Sequence, residues 1–90
     1  MLITNMESAM NVAEKVRDIA AQLLNVDQTT IRPTMRWRSD LDMSSIDFVE
    51  LLSALENEFD IRIPEADSQQ FGTVESVVRY VEEKIAARTK

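Results

Sequence analysis

Two adjacent serines, Ser44 and Ser45, stand where a polar segment gives way to an acidic, amphipathic one, in the run Asp40-Leu41-Asp42-Met43-Ser44-Ser45-Ile46-Asp47. A serine hydroxyl attacks only when a neighbouring base takes its proton, and the chain contains neither His nor Cys. Ser-His chemistry is therefore excluded. An exposed serine that cannot attack is better suited to being modified by another enzyme. The spacing Asp40-x-Asp42-x-Ser44 also has the look of a calcium loop. An EF-hand loop, however, needs Gly at its sixth position and Glu at its twelfth. Ser45 and Leu51 stand there, so calcium binding is rejected.

The elements around the serines must hold them in place. Phe48, Leu51, Leu52, Leu55 and Phe59 follow the i, i+3, i+4, i+7, i+11 spacing of a core stripe, which predicts a helix from Ser44 or Ser45 to about Asp60. Ser44 and Asp47 have capping-box-like spacing. On these grounds alone a serine at this place reads as an N-cap, since Ser is among the commonest capping residues. A helix N-terminus also offers free N–H groups and a positive dipole end, so a phosphodiester there would be favoured. Ile46 and Val49 lie off the core stripe beside Glu50, as a contact patch would.

Val12, Val16, Ile19, Ala20 and Leu23 predict a first helix from about Glu7 to Leu24. Asn25 suits a left-handed cap after it, with Val26 folding back. Asp27 to Ser44 is a long connection that Pro33 keeps from being helical. Ile31, Met35, Trp37 and Leu41 are its anchors. Trp37 is read as buried rather than as a partner contact, because Trp is mostly buried on average. Pro64 breaks the pattern again, with Ile61 and Ile63 turned inward and a short helix over Ala66 to Phe71. Gly72 gives a break and Thr73 an N-cap for a last helix with the stripe Val74, Val77, Val78, Val81 and Ile85. Arg88 and Lys90 suit the negative end of its dipole.

Ninety residues with 44% hydrophobic content make one small folded domain. Residues 1–6 are read as a flexible extension and 7–90 as the domain. Sustained β alternation is absent, so the fold class is all-α. With no Cys, disulfide scaffolds and thiolate metal sites are excluded. No apolar run approaches a membrane span, and the start lacks the basic region of a signal peptide, which together point to the cytoplasm. The composition points to a monomer. Net charge is -6, unevenly spread. Asp40 to Asp67 holds nine acidic residues against the single base Arg62, a net of -8; the remainder, with seven acidic and nine basic residues, is +2. Such a field repels nucleic acid and draws in basic protein surfaces.

The serine run resembles the motif of the acyl carrier protein family, Asp-Leu-Gly-x-Asp-Ser-Leu-Asp, followed by a Glu-rich hydrophobic helix. Residues 16–26 resemble the end of that family's first helix. Residues 51–64 resemble its second helix and turn, and residues 73–81 its last helix, so the likeness runs from about Asn11 to Ile85. It implies a four-helix bundle with a long loop between helices one and two and a short third helix, of bacterial type II. It implies a non-catalytic carrier with 4'-phosphopantetheine covalently attached to Ser45, placed there from coenzyme A by a phosphopantetheinyl transferase. The arm would hold acyl groups as thioesters for fatty-acid, polyketide or related lipid synthesis. Ser45 rather than Ser44 matches because it directly precedes Ile46 and Asp47. Ile46, Asp47, Val49, Glu50, Ser53 and Glu56 fall at partner-contact positions, Ser53 standing where Met is frequent. The implied partners are acyl synthases or transferases with basic docking surfaces. Trp37 takes the place of a Phe that plugs the core. Two departures, Ser44 for Asp and Asp42 for Gly, point to a specialised member. An acidic helical adaptor without a prosthetic group, or a carrier of aminoacyl cargo, are the alternatives.

Overall fold

A computed structural model describes the backbone of residues 3–88 and the side chains of residues 12–87. The expected N-terminal extension, residues 1–6, lies outside the described side chains, as do Arg88 and Lys90. The elements in order are α1 (Ile3–Leu24), a 3-10 turn (Gln28–Thr30), α2 (Ser45–Phe59), a 3-10 helix (Glu65–Gln70) and α3 (Val74–Arg88). Helix α1 thus starts before the expected Glu7. Among the described residues there is no strand, only an isolated bridge between Arg36 and Thr73. The bundle is the expected all-α one, with its short third member wound as a 3-10 helix. Pro64 precedes it, and its bonds run three residues back: Asp67 N–H to Pro64 O at 3.0 Å and Phe71 N–H to Ser68 O at 3.2 Å. So short a segment is too brief to gain from α-helical cooperativity.

Helix α1 packs against both α2 and α3. The stripes read from the sequence meet in one core: Val12, Val16 and Ala20 from α1, Leu51 and Leu55 from α2, Val74, Val77 and Val81 from α3. Ile19, Leu23, Phe48, Leu52, Phe59, Val78 and Ile85 flank it, partly buried. Ala21 and Met43 join the core although no stripe predicted them.

Among the described residues three adopt left-handed backbone: Asn25 (φ 59), Asp42 (φ 54) and Asp60 (φ 54). All are Asn or Asp, the non-glycine residues that tolerate this region best. Asn25 closes α1, where Val26 N–H reaches Ala21 O at 3.0 Å, and Asp60 closes α2, where Ile61 N–H reaches Glu56 O at 3.2 Å. The Val26 backbone folds back as expected, while its side chain stays 44% exposed. Gly72, the only glycine, is not left-handed, and a Cβ on it would meet nothing within 4 Å. The break before α3 therefore does not rest on glycine's conformational freedom.

The long first loop is stitched to the start of α3. Trp37 is fully buried, with Ile31 beside it in the core and Met35 and Leu41 partly covered. The indole Nε1–H donates to Thr73 O at 2.9 Å, and the Trp37 N–H to Gly72 O at 3.2 Å. In return the loop carbonyls of Met35 and Pro33 accept from Val74 N–H and Glu75 N–H, each at 2.9 Å. Thr73 completes the cap in a reciprocal pair: Ser76 N–H donates to Thr73 Oγ1 at 3.2 Å, and Thr73 N–H to Ser76 Oγ at 3.1 Å.

The 3-10 helix is pinned to α3 by Tyr80, whose hydroxyl donates to Asp67 Oδ2 at 2.6 Å and whose ring meets Phe71 edge-on at 4.9 Å. Burial, and then the bond to Asp67, push the Tyr80 pKa above the ordinary phenol range.

Trp37→Ala should destabilise the chain by about 3–5 kcal/mol, the usual loss for a buried aromatic ring. Trp37→Phe, which keeps a ring but no donor for Thr73 O, should fall between that variant and wild type in a urea unfolding series. A loss below about 0.5 kcal/mol for Trp37→Ala, typical of surface changes, would refute the anchoring role.

Candidate functional site: the N-terminus of helix α2

The serine run is positioned from both sides. Before it, Met43 is buried and its N–H donates to Trp37 O at 2.9 Å. After it, Phe48 lies with its ring centroid 6.3 Å from that of Trp37, tilted by 57°. Met43 and Phe48 have the spacing of a hydrophobic staple across a helix start; Met43 lies in the core and Phe48 packs against it. Met43 was missed as an anchor of the site; that staple spacing was the signal that identifies it. Asp42, where the resembling motif has Gly, takes the left-handed turn into Met43.

Ser44 has extended backbone (φ -75, ψ 167) and its Oγ accepts from Asp47 N–H at 3.0 Å. Its carbonyl accepts from Phe48 N–H at 2.9 Å. Ser44 is therefore the N-cap and Ser45 the first residue of α2. Both are exposed, but their hydroxyls are placed differently. The Ser44 oxygen serves the helix; the Ser45 hydroxyl stands outside the capping arrangement. By helix geometry the Ser45 and Ile46 N–H groups have no acceptor within the helix. A phosphodiester on Ser45 Oγ would sit at the positive end of the helix dipole with those amides near it. The residues present thus fit a phosphate-linked group, and the neutral cap at Ser44 adds no repelling charge.

The residues expected to form a contact face lie along α2. Ile46 is 72% and Val49 61% exposed, unusual for large apolar side chains. Glu50 and Ser53, also exposed, continue the same face at helical spacing. Asp47 is half-buried. Glu56, also half-buried, is occupied: its Oε2 accepts from Ile63 N–H at 2.7 Å and so ties the turn after α2 back to the helix. No sequence pattern marks this bond, since it appears only once the chain has turned through Asp60. A surface groove of ≈ 570 Å³ runs between α1 and α2, lined by Ile19, Leu23 and Ala54 with Gln22, Asn57 and Glu58. Ala54 lies about 14 Å along the helix from Ser45, so the groove is separate from the serine.

The family model for the phosphopantetheine attachment site matches residues 14–81. The chain belongs to this family. Among its relatives are acyl carrier proteins of Chlorobium phaeovibrioides and Chlorobium luteolum, each 38% identical over 73 residues, covering 81% of this chain and 94% of the relative. As a member of the phosphopantetheine-attachment family the protein is a carrier rather than a catalyst, and its prosthetic group is covalently held 4'-phosphopantetheine. Among the described residues of this carrier no helix is long and apolar enough to cross a membrane.

The two serines should separate in stability. Ser44→Ala should cost about 1 kcal/mol, the usual price of a lost N-cap. Ser45→Ala should stay within about 0.5 kcal/mol of wild type. Chemical denaturation of both variants checks this; equal losses, or the reverse order, would overturn the assignment of the cap.

Proposed function

We propose that Ser45 is the residue that carries 4'-phosphopantetheine, loaded from coenzyme A by a phosphopantetheinyl transferase. The observation that carries this reading is the division of labour at the start of α2: Ser44 Oγ caps the helix, and the exposed Ser45 hydroxyl is left for modification. The arm's thiol supplies the thioester chemistry that holds an acyl group. The chain's own part is to expose Ser45 Oγ, to keep its backbone fixed between Met43 and Phe48, and to offer amide dipoles to the phosphate.

The cargo is an acyl group of fatty-acid, polyketide or related lipid synthesis rather than an aminoacyl group. The likeness to acyl carrier proteins supports that choice, and family membership weighs against an adaptor with no prosthetic group. Enzymes with basic surfaces dock on the α2 face formed by Ile46, Val49, Glu50 and Ser53, with Asp47 and Glu56 at its edges. The protein works as a cytoplasmic monomer.

Incubation of the apo protein with coenzyme A and a broad-specificity transferase should add the arm to Ser45, as read by peptide mass spectrometry. Ser45→Ala should take up none. An adduct on Ser44, or continued labelling of the Ser45→Ala variant, would sink the reading.

Glu50 and Glu56 should behave differently, because only Glu56 is tied into the fold. Glu50→Lys should slow association with a loading or acyl-transferring enzyme severalfold and leave the melting curve unchanged. Glu56→Lys should also destabilise the chain by about 1–3 kcal/mol, the range for losing a charged acceptor from a backbone amide. Equal stability of the two variants would show that the Glu56–Ile63 bond contributes nothing.

A further inference from the structure

Arg32, Arg36 and Arg38 stand exposed on the loop that leads to Ser45, in a chain whose net charge is -6. Lys15 pairs with Glu58, Arg79 with Glu75, and Lys84 lies over the Tyr80 ring. Among the described residues none of the three loop guanidinium groups forms an ion pair. For Arg36 and Arg38 the nearest carboxylates along the chain are those of Asp40 and Asp42, and Asp40 Oδ2 is engaged by the Arg36 backbone N–H at 2.8 Å. Trp37 points into the core while Arg36 and Arg38, on either side of it, are left in solvent.

These cations cannot drift away from the serine. The bond from Met43 N–H to Trp37 O, at 2.9 Å, fixes their segment beside the entry to α2. From Met43 to Ser45 the chain spans at most about 7 Å. Ser45 therefore has the acidic, partly apolar face of α2 on one side and, on the other, the loop arginines just beyond Asp40 and Asp42. An enzyme whose active site reaches Ser45 Oγ must cover both. A uniformly basic surface, suited to α2 alone, would meet the arginines with like charge, which is costly at an interface. A uniformly anionic surface, such as a lipid headgroup layer or a nucleic acid, would meet the -8 segment that begins at Asp40.

We propose that the loop arginines are the second half of the docking site, and that the surface closing over Ser45 is bipolar: basic towards Glu50 and acidic towards Arg36 and Arg38. The partner is the phosphopantetheinyl transferase of the organism that makes this chain, the enzyme that must reach the Ser45 oxygen itself. The inference rests on Ser45 being the loaded residue.

The test compares loading of wild type, an Arg36→Glu/Arg38→Glu pair and an Arg36→Gln/Arg38→Gln pair by that transferase, at low and high salt. Charge reversal should lower kcat/KM on the order of tenfold at low salt, with neutralisation falling between, because complementary charge acts mainly on encounter. The gap should narrow at high salt, and thermal unfolding should be unchanged. The glutamine pair retains the comparison if the glutamate pair misfolds. Loading of both variants at the wild-type rate, or faster, overturns the proposal. So does loss of pelleting with phosphatidylglycerol vesicles at unchanged loading, which would assign the arginines to a membrane. A wild-type chain that takes up no arm at all would instead overturn the assignment of Ser45, and this inference with it.

Discussion

The hydrogen bond from the Trp37 indole to the Thr73 carbonyl joins two segments 36 residues apart, and the serine depends on it. A loop as long as the one between α1 and α2 has no regular structure to hold it and needs anchors of its own. Trp37 is the main one. It fills the space between the loop and the start of α3, and its backbone carbonyl receives Met43 just ahead of the serine pair. The exchange runs both ways. The first amides of α3, which any helix leaves without partners, find their acceptors in the loop carbonyls of Met35 and Pro33. Neither the loop nor the start of α3 would be satisfied without the other.

On this frame adjacent residues of similar type do different work. Ser44 and Ser45 are chemically identical, yet one oxygen is turned to the Asp47 amide and the other is not. Glu50 and Glu56 are both acidic residues of α2, yet one is in solvent and the other holds Ile63. Local hydrogen bonding separates structural residues from those free to meet a partner. The same holds for the left-handed turn at Asp42, where one residue supplies both an unusual backbone conformation and a negative charge beside the site.

The helical stripes were legible because burial imposes their spacing: Val74, Val77 and Val81, or Leu51 and Leu55, could face only one way. The start of α2 was legible too, since Ser44 and Asp47 stand at cap spacing. Trp37 was readable as a buried anchor from its size, but its partner was not. Nothing local in Thr73 announces that its carbonyl will meet an indole from the first loop. The bond from Ile63 to Glu56 was hidden for the same reason, being formed only after the chain reverses at Asp60. The 3-10 winding of Glu65–Gln70 differs from an α-helix by a shift of one residue in each bond, which apolar spacing in so short a segment does not resolve. The attachment role proposed for Ser45 came from likeness to a family rather than from residue physics, which by itself favours a plain cap.

The Thr73 carbonyl accepts from more than the indole: Ser76 Oγ donates to it at 2.6 Å, and Val77 N–H approaches at 3.4 Å. One oxygen is thus shared by the loop anchor and the first turn of α3. Local unfolding of the segment before Ser45 cannot be a private event, because releasing Trp37 also loosens α3. The two form one cooperative unit whose opening is as rare as the weaker of them allows. With the arm on Ser45 as proposed, its attachment point would belong to a segment held by the fold. The mobility of the arm would then begin beyond the Ser45 oxygen, and the protein would contribute a fixed pivot.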